Sequence, residues 1–228
     1  MTTEEVKFPK QKPGVRFLCG IFIRLVSNYQ VIGRENIPWN SQVLMTVNHL
    51  SYFDVVAFVP PLRHLDLPGF TAKKYKGTWR EFFFNLGSPI WIDQESPDRK
   101  ALMTALKLIE QGYSFGVAPE GHRSKTGGLQ QGQEGAAFMA NRANLPIWPI
   151  AVSGTEQVLK KARPTVRVIF GKPYHLPNEG RARGDKLTEY TERMMCAIAA
   201  LLPEQYHGYY AGNPLIEEMA PLVRPDSF

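Results

Sequence analysis

Two short polar segments carry the residue types that proton-transfer chemistry needs. Residues 48–54 (Asn-His-Leu-Ser-Tyr-Phe-Asp) follow an apolar run at 43–47 and place His49 and Asp54 in an H-x4-D arrangement. A histidine that offers one ring nitrogen to a carboxylate keeps the other nitrogen available as a general base. The segment therefore predicts a base, His49, and an acid that orients it, Asp54.

The same segment also has a purely structural interpretation. Ser51 followed three residues later by Asp54 is the pattern of a capping box, in which the carboxylate reaches back to a backbone N–H. His49 would then be an ordinary loop residue. A helix starting here would also place partial positive charge near His49 and disfavour its protonation. The two interpretations share one geometry, and the H-x4-D spacing is too common to decide between them.

A second polar turn, residues 120–124 (Glu-Gly-His-Arg-Ser), follows the apolar run 115–118. Arg123 offers a planar fork of donors that suits a phosphate group. Gly121 allows backbone N–H groups to approach a ligand closely. Alone, such a turn is equally consistent with a polar surface connection, but two turns after two apolar strands favour a site.

The elements that must position these turns alternate between strand and helix. We expect strands at 31–33, 42–47, 70–73, 90–92, 115–118, 147–152 and 165–170. We expect helices at 14–27, 52–59, 78–86, 97–111, 132–143 and 185–202. This order predicts an α/β fold, with a mostly parallel or mixed central sheet flanked by helices. Ligands bind at the carboxyl ends of parallel strands, so both polar turns can converge there.

Composition and charge limit the kinds of partner that we expect for this chain. The chain has 228 residues and a net charge of +6, which fits one domain with a preference for acidic partners. No recognised nucleic-acid motif accompanies the charge, so we expect no nucleic-acid partner. The two cysteines, Cys19 and Cys196, lie far apart in apolar helical patterns, which predicts buried free thiols.

We divide the chain into a basic arm with an amphipathic helix (1–28), a main domain (29–212) and a C-terminal tail (213–228). The acidic start is unlike a signal peptide, and the apolar run 17–23 is far shorter than the roughly 20 residues of a membrane span. The apolar stripe of this helix could cover the core or lie on a lipid surface beside basic residues. The stripe comprises Phe17, Leu18, Ile21, Phe22 and Leu25, and the basic residues are Lys7, Lys10, Lys12, Arg16 and Arg24.

Four ordered blocks of the sequence resemble the glycerophospholipid acyltransferases of the lysophosphatidic acid type. The first and third blocks are the polar turns at 48–54 and 119–124. The second comprises 71–74 and 86–94, and the fourth is 145–150. The resemblance covers about residues 30–172. Two positions depart from the family pattern: Gln94 stands where an arginine usually helps to hold the acceptor's phosphate, and His122 stands where threonine is frequent.

The resemblance implies a role for each matched residue. His49 removes the proton of an acceptor hydroxyl that attacks a thioester, and Asp54 holds His49 in the useful tautomer. The acceptor-binding residues would be Lys73, Glu120, Gly121, His122, Arg123 and Ser124. Arg99 or Lys73 could replace the arginine missing at Gln94.

The resemblance also implies the partners of the reaction. The donor would be acyl-CoA or acyl-carrier protein, and the acceptor a lysophospholipid or glycerol phosphate. No metal or other cofactor is required. We further expect the protein to be cytoplasmic and peripheral, at the inner face of an anionic membrane.

Two other functions remain open at this level. Residues 112–116 match the G-x-S-x-G pattern of esterases, although this pattern should follow a strand rather than precede one. An esterase would depend on Ser114 in place of His49. A non-catalytic lipid-binding relative is the second alternative, favoured only by Gln94.

Overall fold

The computed structural model describes residues 13–62, 67–78, 89–92, 99–177 and 179–228. Within these ranges the strands are β1 Asn28–Ile32, β2 Leu44–Val47, β3 Gly69–Ala72, β4 Pro89–Ile92, β5 Phe115–Val117, β6 Ile147–Ser153 and β7 Thr165–Phe170. The α-helices are α1 Pro13–Val26, α2 Phe53–Phe58, α3 Arg99–Glu110, α4 Glu134–Ala143, α5 Asp185–Ala199 and α6 Leu215–Val223. Residues 79–86 of the helix predicted at 78–86 and the position of Gln94 lie outside the described residues.

The strands form one mixed sheet in the order β1-β7-β6-β2-β5-β3-β4. Neighbouring strands are parallel except β6 and β7, which are antiparallel. The three central strands β6, β2 and β5 therefore point the same way, and their carboxyl ends meet at one edge. This arrangement confirms the predicted α/β fold and brings the two polar turns together.

Alternation along the central strands divides the core between two faces of the sheet. Met45 and Val47 pack against α2 and α1 on one face, whereas Leu44 faces α3 and α4 on the other. All seven residues of β6 are buried, as expected for a strand covered on both sides. Because both faces of the sheet are covered, a ligand can reach it only at the ends of the strands.

The C-terminal segment differs from the expected tail. The helix predicted at 185–202 is not the last one, because α6 follows and buries Ile216, Met219 and Val223 against α5. The backbone N–H of Lys172 donates to the carbonyl of Val223 at 2.8 Å, which ties α6 to the sheet. These three apolar residues follow a helical spacing, so the signal for this helix was present in the sequence.

Helix α1 packs on α2 through a narrow face and exposes its apolar stripe. Ile23 is fully buried and Phe22 stacks on Phe53 at the start of α2, with ring centroids 5.9 Å apart. The stripe itself is exposed, with Phe17 at 68%, Leu18 at 62% and Leu25 at 70%. Covering the core is therefore not the role of this stripe. No helix among the described residues is long and apolar enough to cross a bilayer.

The cysteines match the expectation in part. Both thiols are free, and Cys196 is buried, whereas Cys19 is only partly buried in α1. Burial raises the pKa of the Cys196 thiol to about 12, so this group is an inert core side chain at neutral pH.

Candidate active site

The H-x4-D pair meets at the end of β2. The Nδ1 atom of His49 lies 2.7 Å from Oδ2 of Asp54, whose side chain is 2% exposed. A carboxylate can only accept, so in the neutral imidazole the tautomer that suits this contact carries its proton on Nδ1 and presents a lone pair on Nε2. No hydrogen-bond partner of Nε2 occurs among the described residues. The imidazole is 30% exposed, so it can meet a substrate.

Asp54 is held by the backbone of its own turn. Its Oδ2 accepts hydrogen bonds from the N–H groups of Leu50 and Ser51 at 2.8 and 2.9 Å. Its Oδ1 accepts a hydrogen bond from the hydroxyl of Thr155, which comes from the turn after β6. The contacts expected from the structural interpretation are therefore present, since Asp54 reaches back to the backbone as well as contacting His49.

Asn48 fixes the first turn to the sheet. Its side-chain amide donates to the carbonyl of Val152 and accepts from the N–H of Val152, both at 2.8 Å. This paired contact anchors the first turn to β6 directly after β2 ends at Val47. The residue that precedes His49 is therefore fixed to the sheet.

Glu120 joins the two polar turns and does not face the cavity. Its side chain is fully buried, with Oε1 accepting the N–H of His49 at 2.8 Å and Oε2 accepting the N–H of Gln130 at 2.9 Å. Burial raises the pKa of this carboxyl, and the two N–H donors oppose that rise. Glu120 therefore braces the two turns, and its predicted contact with the acceptor finds no support, because the side chain is buried and does not line the cavity.

The rest of the second turn is shaped by backbone geometry. Gly121 has φ +73°, a left-handed conformation that favours glycine. The N–H of Ser124 donates to the carbonyl of His49 at 2.8 Å, and its hydroxyl donates to the carbonyl of Gly128 at 2.6 Å. The His122 ring lies 3.1 Å from the side-chain oxygen of Gln130. The predicted residues 121–124 all line one cavity.

Arg123 lies over an aromatic ring at the mouth of this cavity. Its guanidinium carbon is 4.0 Å from the ring centroid of Tyr52, and the Tyr52 hydroxyl is 3.2 Å from that of Tyr75. Within the described ranges, Arg123 forms no ion pair with a carboxylate. A guanidinium held over a ring still has N–H donors that can bind an anion.

The cavity has a volume of about 970 Å³ and two chemically different parts. Its polar part carries His49 together with Lys74, Arg99, Arg123 and Lys125. Its apolar part lies on the face of the sheet that α2 covers and is lined by Met45, Phe58, Leu62 and Leu67. His49 lies where the end of β2 meets the basic mouth. This arrangement suits a ligand with an apolar chain at one end and an anion at the other.

Lys73 differs from its predicted position. It is exposed and does not line the cavity, whereas its neighbour Lys74 does. The chain forms a 3-10 turn at Lys73–Tyr75, and consecutive residues of such a turn point in different directions. Lys74 is therefore the lysine of this turn that lines the cavity, one position after the predicted residue.

Thr155 is a second residue that the sequence reasoning missed. Its only signal was a third polar, glycine-containing turn, Ser153-Gly154-Thr155, directly after an apolar strand. This is the same pattern that identified the first two turns.

The chain is similar to known acyltransferases in sequence and in fold. The profile of a family described as Acyltransferase matches residues 28–153. The 1-acyl-sn-glycerol-3-phosphate acyltransferase of Bacillus subtilis (strain 168) is 25% identical over 161 residues, which cover 68% of this chain and 78% of that protein. The chloroplastic 1-acyl-sn-glycerol-3-phosphate acyltransferase of Arabidopsis thaliana is 32% identical over 167 residues, covering 66% of this chain and 46% of that protein.

A solved structure shares the fold. The crystal structure of the 1-acyl-sn-glycerophosphate acyltransferase of Thermotoga maritima superimposes with a TM-score of 0.62 and 20% identity, covering 78% of this chain and 74% of that chain. The family profile spans both polar turns, β2, β5 and the whole of β6. The chain therefore belongs to the acyltransferase family, and it is an enzyme that transfers acyl groups.

Proposed function

We propose that this enzyme transfers a fatty acyl group from a thioester donor, acyl-CoA or acyl-carrier protein, to the free hydroxyl of 1-acylglycerol-3-phosphate. The observation that carries the proposal is the 2.7 Å contact between His49 and Asp54 beside a basic cavity mouth. The sequence relatives carry this acceptor in their names.

The proposed reaction is a direct transfer. Nε2 of His49 takes the proton of the acceptor hydroxyl as its oxygen attacks the thioester carbonyl carbon, while Asp54 stabilises the resulting imidazolium. The C–S bond then breaks, an ester is left on the acceptor, and the departing thiolate takes the proton back from Nε2. No group is retained on the enzyme, so the reaction needs no nucleophilic side chain.

Charge at the cavity mouth supports a phosphate-bearing acceptor. Four basic side chains, Lys74, Arg99, Arg123 and Lys125, line the cavity. The acidic side chains among the described lining residues are Asp54, which is already bonded on both oxygens, and Glu134, which accepts the hydroxyl of Thr188 at 2.8 Å. The mouth is therefore net positive, which favours an anionic acceptor and the acidic donors.

The apolar part of the cavity supports a fatty acyl chain. Its lining residues carry no charge, and β3 and β5 approach closely there through Gly69 and Gly116, which pair in register. A chain in this part would place its thioester near His49, because β2 lines the apolar part and ends at the imidazole.

An esterase that uses Ser114 is not favoured by the geometry. Ser114 precedes β5 and accepts the N–H of Val43 at 3.0 Å, just before β2. Both residues lie at the amino ends of their strands, which is the opposite edge of the sheet from His49. Ser114 is therefore a strand-start residue with no access to the candidate base.

We propose that α1 holds the enzyme on an anionic membrane surface. Five apolar side chains of this helix are exposed, and Phe22 stacks on Phe53 beside the site. Of the five predicted basic residues, Lys7, Lys10 and Lys12 lie outside the described residues. Arg16 is buried and donates to the carbonyl of Leu62, so it does not contribute to this surface, whereas Arg24 is exposed. An acceptor whose acyl chain resides in a lipid layer would then reach His49 from that surface.

Replacing Leu18 and Leu25 by serine is expected to weaken binding to phosphatidylglycerol vesicles about tenfold or more, because each exposed leucine would otherwise bury apolar surface in lipid. Vesicle co-sedimentation measures this affinity. The matched control is Met103→Ser on α3, a side chain that is 54% exposed and should not affect binding. Equal vesicle affinity of the double variant and the unmodified enzyme would contradict the proposed surface.

The proposed reaction is tested with purified enzyme and labelled acyl-CoA or acyl-carrier protein. The acceptors are 1-acylglycerol-3-phosphate, glycerol 3-phosphate, a zwitterionic lysophospholipid and monoacylglycerol. We expect acylation of 1-acylglycerol-3-phosphate with the highest kcat/KM, because its phosphate meets the basic mouth. Preference for monoacylglycerol would reject the phosphate assignment, and hydrolysis without transfer would reject the proposed reaction.

A further inference from the structure

A third turn reaches the site from β6, beside the two that the sequence pattern identified. Gly154 directly follows β6 and has φ +81°, and a Cβ at this position would collide with the backbone carbonyl oxygen of Thr165. The turn therefore admits only glycine without rearrangement. It leads into the short 3-10 helix Thr155–Gln157, whose first side chain lies against Asp54.

The hydroxyl of Thr155 binds the oxygen of Asp54 that the first turn leaves without a donor. Three of the four hydrogen bonds to the Asp54 carboxylate converge on Oδ2, from Nδ1 of His49 and from two backbone N–H groups. The fourth runs from the Thr155 hydroxyl to Oδ1. Thr155 is 0% exposed and Asp54 1% exposed, so bulk water does not reach the oxygens.

We propose that Thr155 is a positioning residue of the acyl transfer, acting through Asp54 on His49. A carboxylate that is held only through one oxygen can turn about its Cβ–Cγ bond, which changes the direction of the lone pair facing Nδ1. A donor on Oδ1 fixes the plane of the carboxylate. The imidazole then keeps the tautomer and direction that leave Nε2 ready for the acceptor hydroxyl. This inference rests on the proposed role of His49 as base.

The contribution of the Thr155 side chain can be tested without disturbing the hydrogen bond of its backbone. The carbonyl of Thr155 accepts the N–H of Val158 at 3.2 Å, which any residue at this position would preserve. The side-chain hydroxyl, in contrast, donates to Asp54. Valine has nearly the shape of threonine and lacks the hydroxyl, whereas serine keeps the hydroxyl and lacks the methyl group.

The test compares Thr155→Val with Thr155→Ser. The free energy of a hydrogen bond to a charged group corresponds to about a tenfold to hundredfold change in an equilibrium or rate constant. We therefore expect Thr155→Val to lower kcat by about that factor. The KM of the acceptor should stay within about twofold, because Thr155 does not line the cavity. Thr155→Ser should recover most of the lost kcat. An unchanged kcat in Thr155→Val, or no recovery in Thr155→Ser, would overturn the inference.

A double-mutant cycle separates positioning from general support of the fold. Thr155→Val should cause little further loss of kcat in an Asp54→Asn background, because the partner carboxylate is already gone. Losses that multiply in the double variant would mean that Thr155 acts independently of Asp54, and they would overturn the inference. Thermal unfolding of each variant checks that the folded fraction is unchanged at the assay temperature.

A measurement that does not depend on catalytic turnover tests the role of Thr155 separately from the proposed reaction. The Nδ1 proton of His49 is observed by NMR with 15N-labelled histidine, and its resonance reports the contact with Asp54. Thr155→Val should shift or broaden this resonance, and Thr155→Ser should restore it. If the unmodified enzyme fails to acylate the tested acceptors, the proposed function is wrong. If Thr155→Val leaves the resonance unchanged, the inference about Thr155 is wrong.

Discussion

Replacing His49 by alanine is expected to lower kcat for acyl transfer by about 10²–10⁴, which is the usual contribution of a general base. The fold should survive, because the contacts of His49 that join the two turns come from its backbone. Its N–H donates to Glu120 and its carbonyl accepts from Ser124. Asp54 would also keep its two backbone donors and Thr155. Steady-state kinetics with saturating acyl-CoA and 1-acylglycerol-3-phosphate measure the change.

A second histidine provides a matched control for this variant. His175 is exposed and does not line the cavity, so His175→Ala should leave kcat unchanged. The thermal unfolding temperature of His49→Ala should be close to that of the unmodified protein. If His49→Ala kept more than about a tenth of the activity, general-base catalysis by this side chain would be rejected.

Replacing Arg123 by alanine is expected to lower kcat/KM for 1-acylglycerol-3-phosphate by about 100-fold or more, mainly through KM. A bidentate guanidinium–phosphate contact contains two charge-assisted hydrogen bonds, each worth about 1.5–3 kcal/mol. Arg123→Lys should recover only part of the loss, since an ammonium group keeps the charge but not the fork. Kinetics with the acceptor varied at fixed acyl-CoA measure both effects.

The acceptor itself provides the sharpest control for Arg123. Monoacylglycerol has no phosphate, so any residual transfer to it should not change in Arg123→Ala. Arg142 is an exposed cation of α4 outside the cavity, and Arg142→Ala should leave both acceptors unaffected. An equal loss for the two acceptors would contradict a phosphate contact and would assign Arg123 to donor binding or to support of the fold.

The contact between His49 and Asp54 was predictable because it is local. Five positions separate the two residues across the start of α2, so the turn alone brings the side chains together. The convergence of the two polar turns was also predictable, since parallel strands end at the same edge of a sheet. The roles assigned to these residues in catalysis remain predictions.

The role of Glu120 could not be predicted from its position in the motif. A carboxylate beside a glycine and an arginine resembles a ligand-binding group, and its true partners are two backbone N–H groups. One of them belongs to His49, which lies 71 positions away. The register of β2 against β5 decides which backbone N–H lies next to the Glu120 side chain, and this register is a property of the tertiary structure.

The sequence by itself determined the alternation of strands and helices, the contact between His49 and Asp54, and the basic turn that follows the neighbouring central strand. These features depend on periodicity and on spacing over a few residues, which the backbone converts directly into geometry. Tertiary structure alone decided that Lys74 rather than Lys73 lines the cavity and that α1 exposes its apolar stripe. It also decided that Thr155 completes the hydrogen bonding of Asp54 from 101 positions away. Contacts of this kind arise from strand order and packing, in which residues distant along the chain compete for the same space.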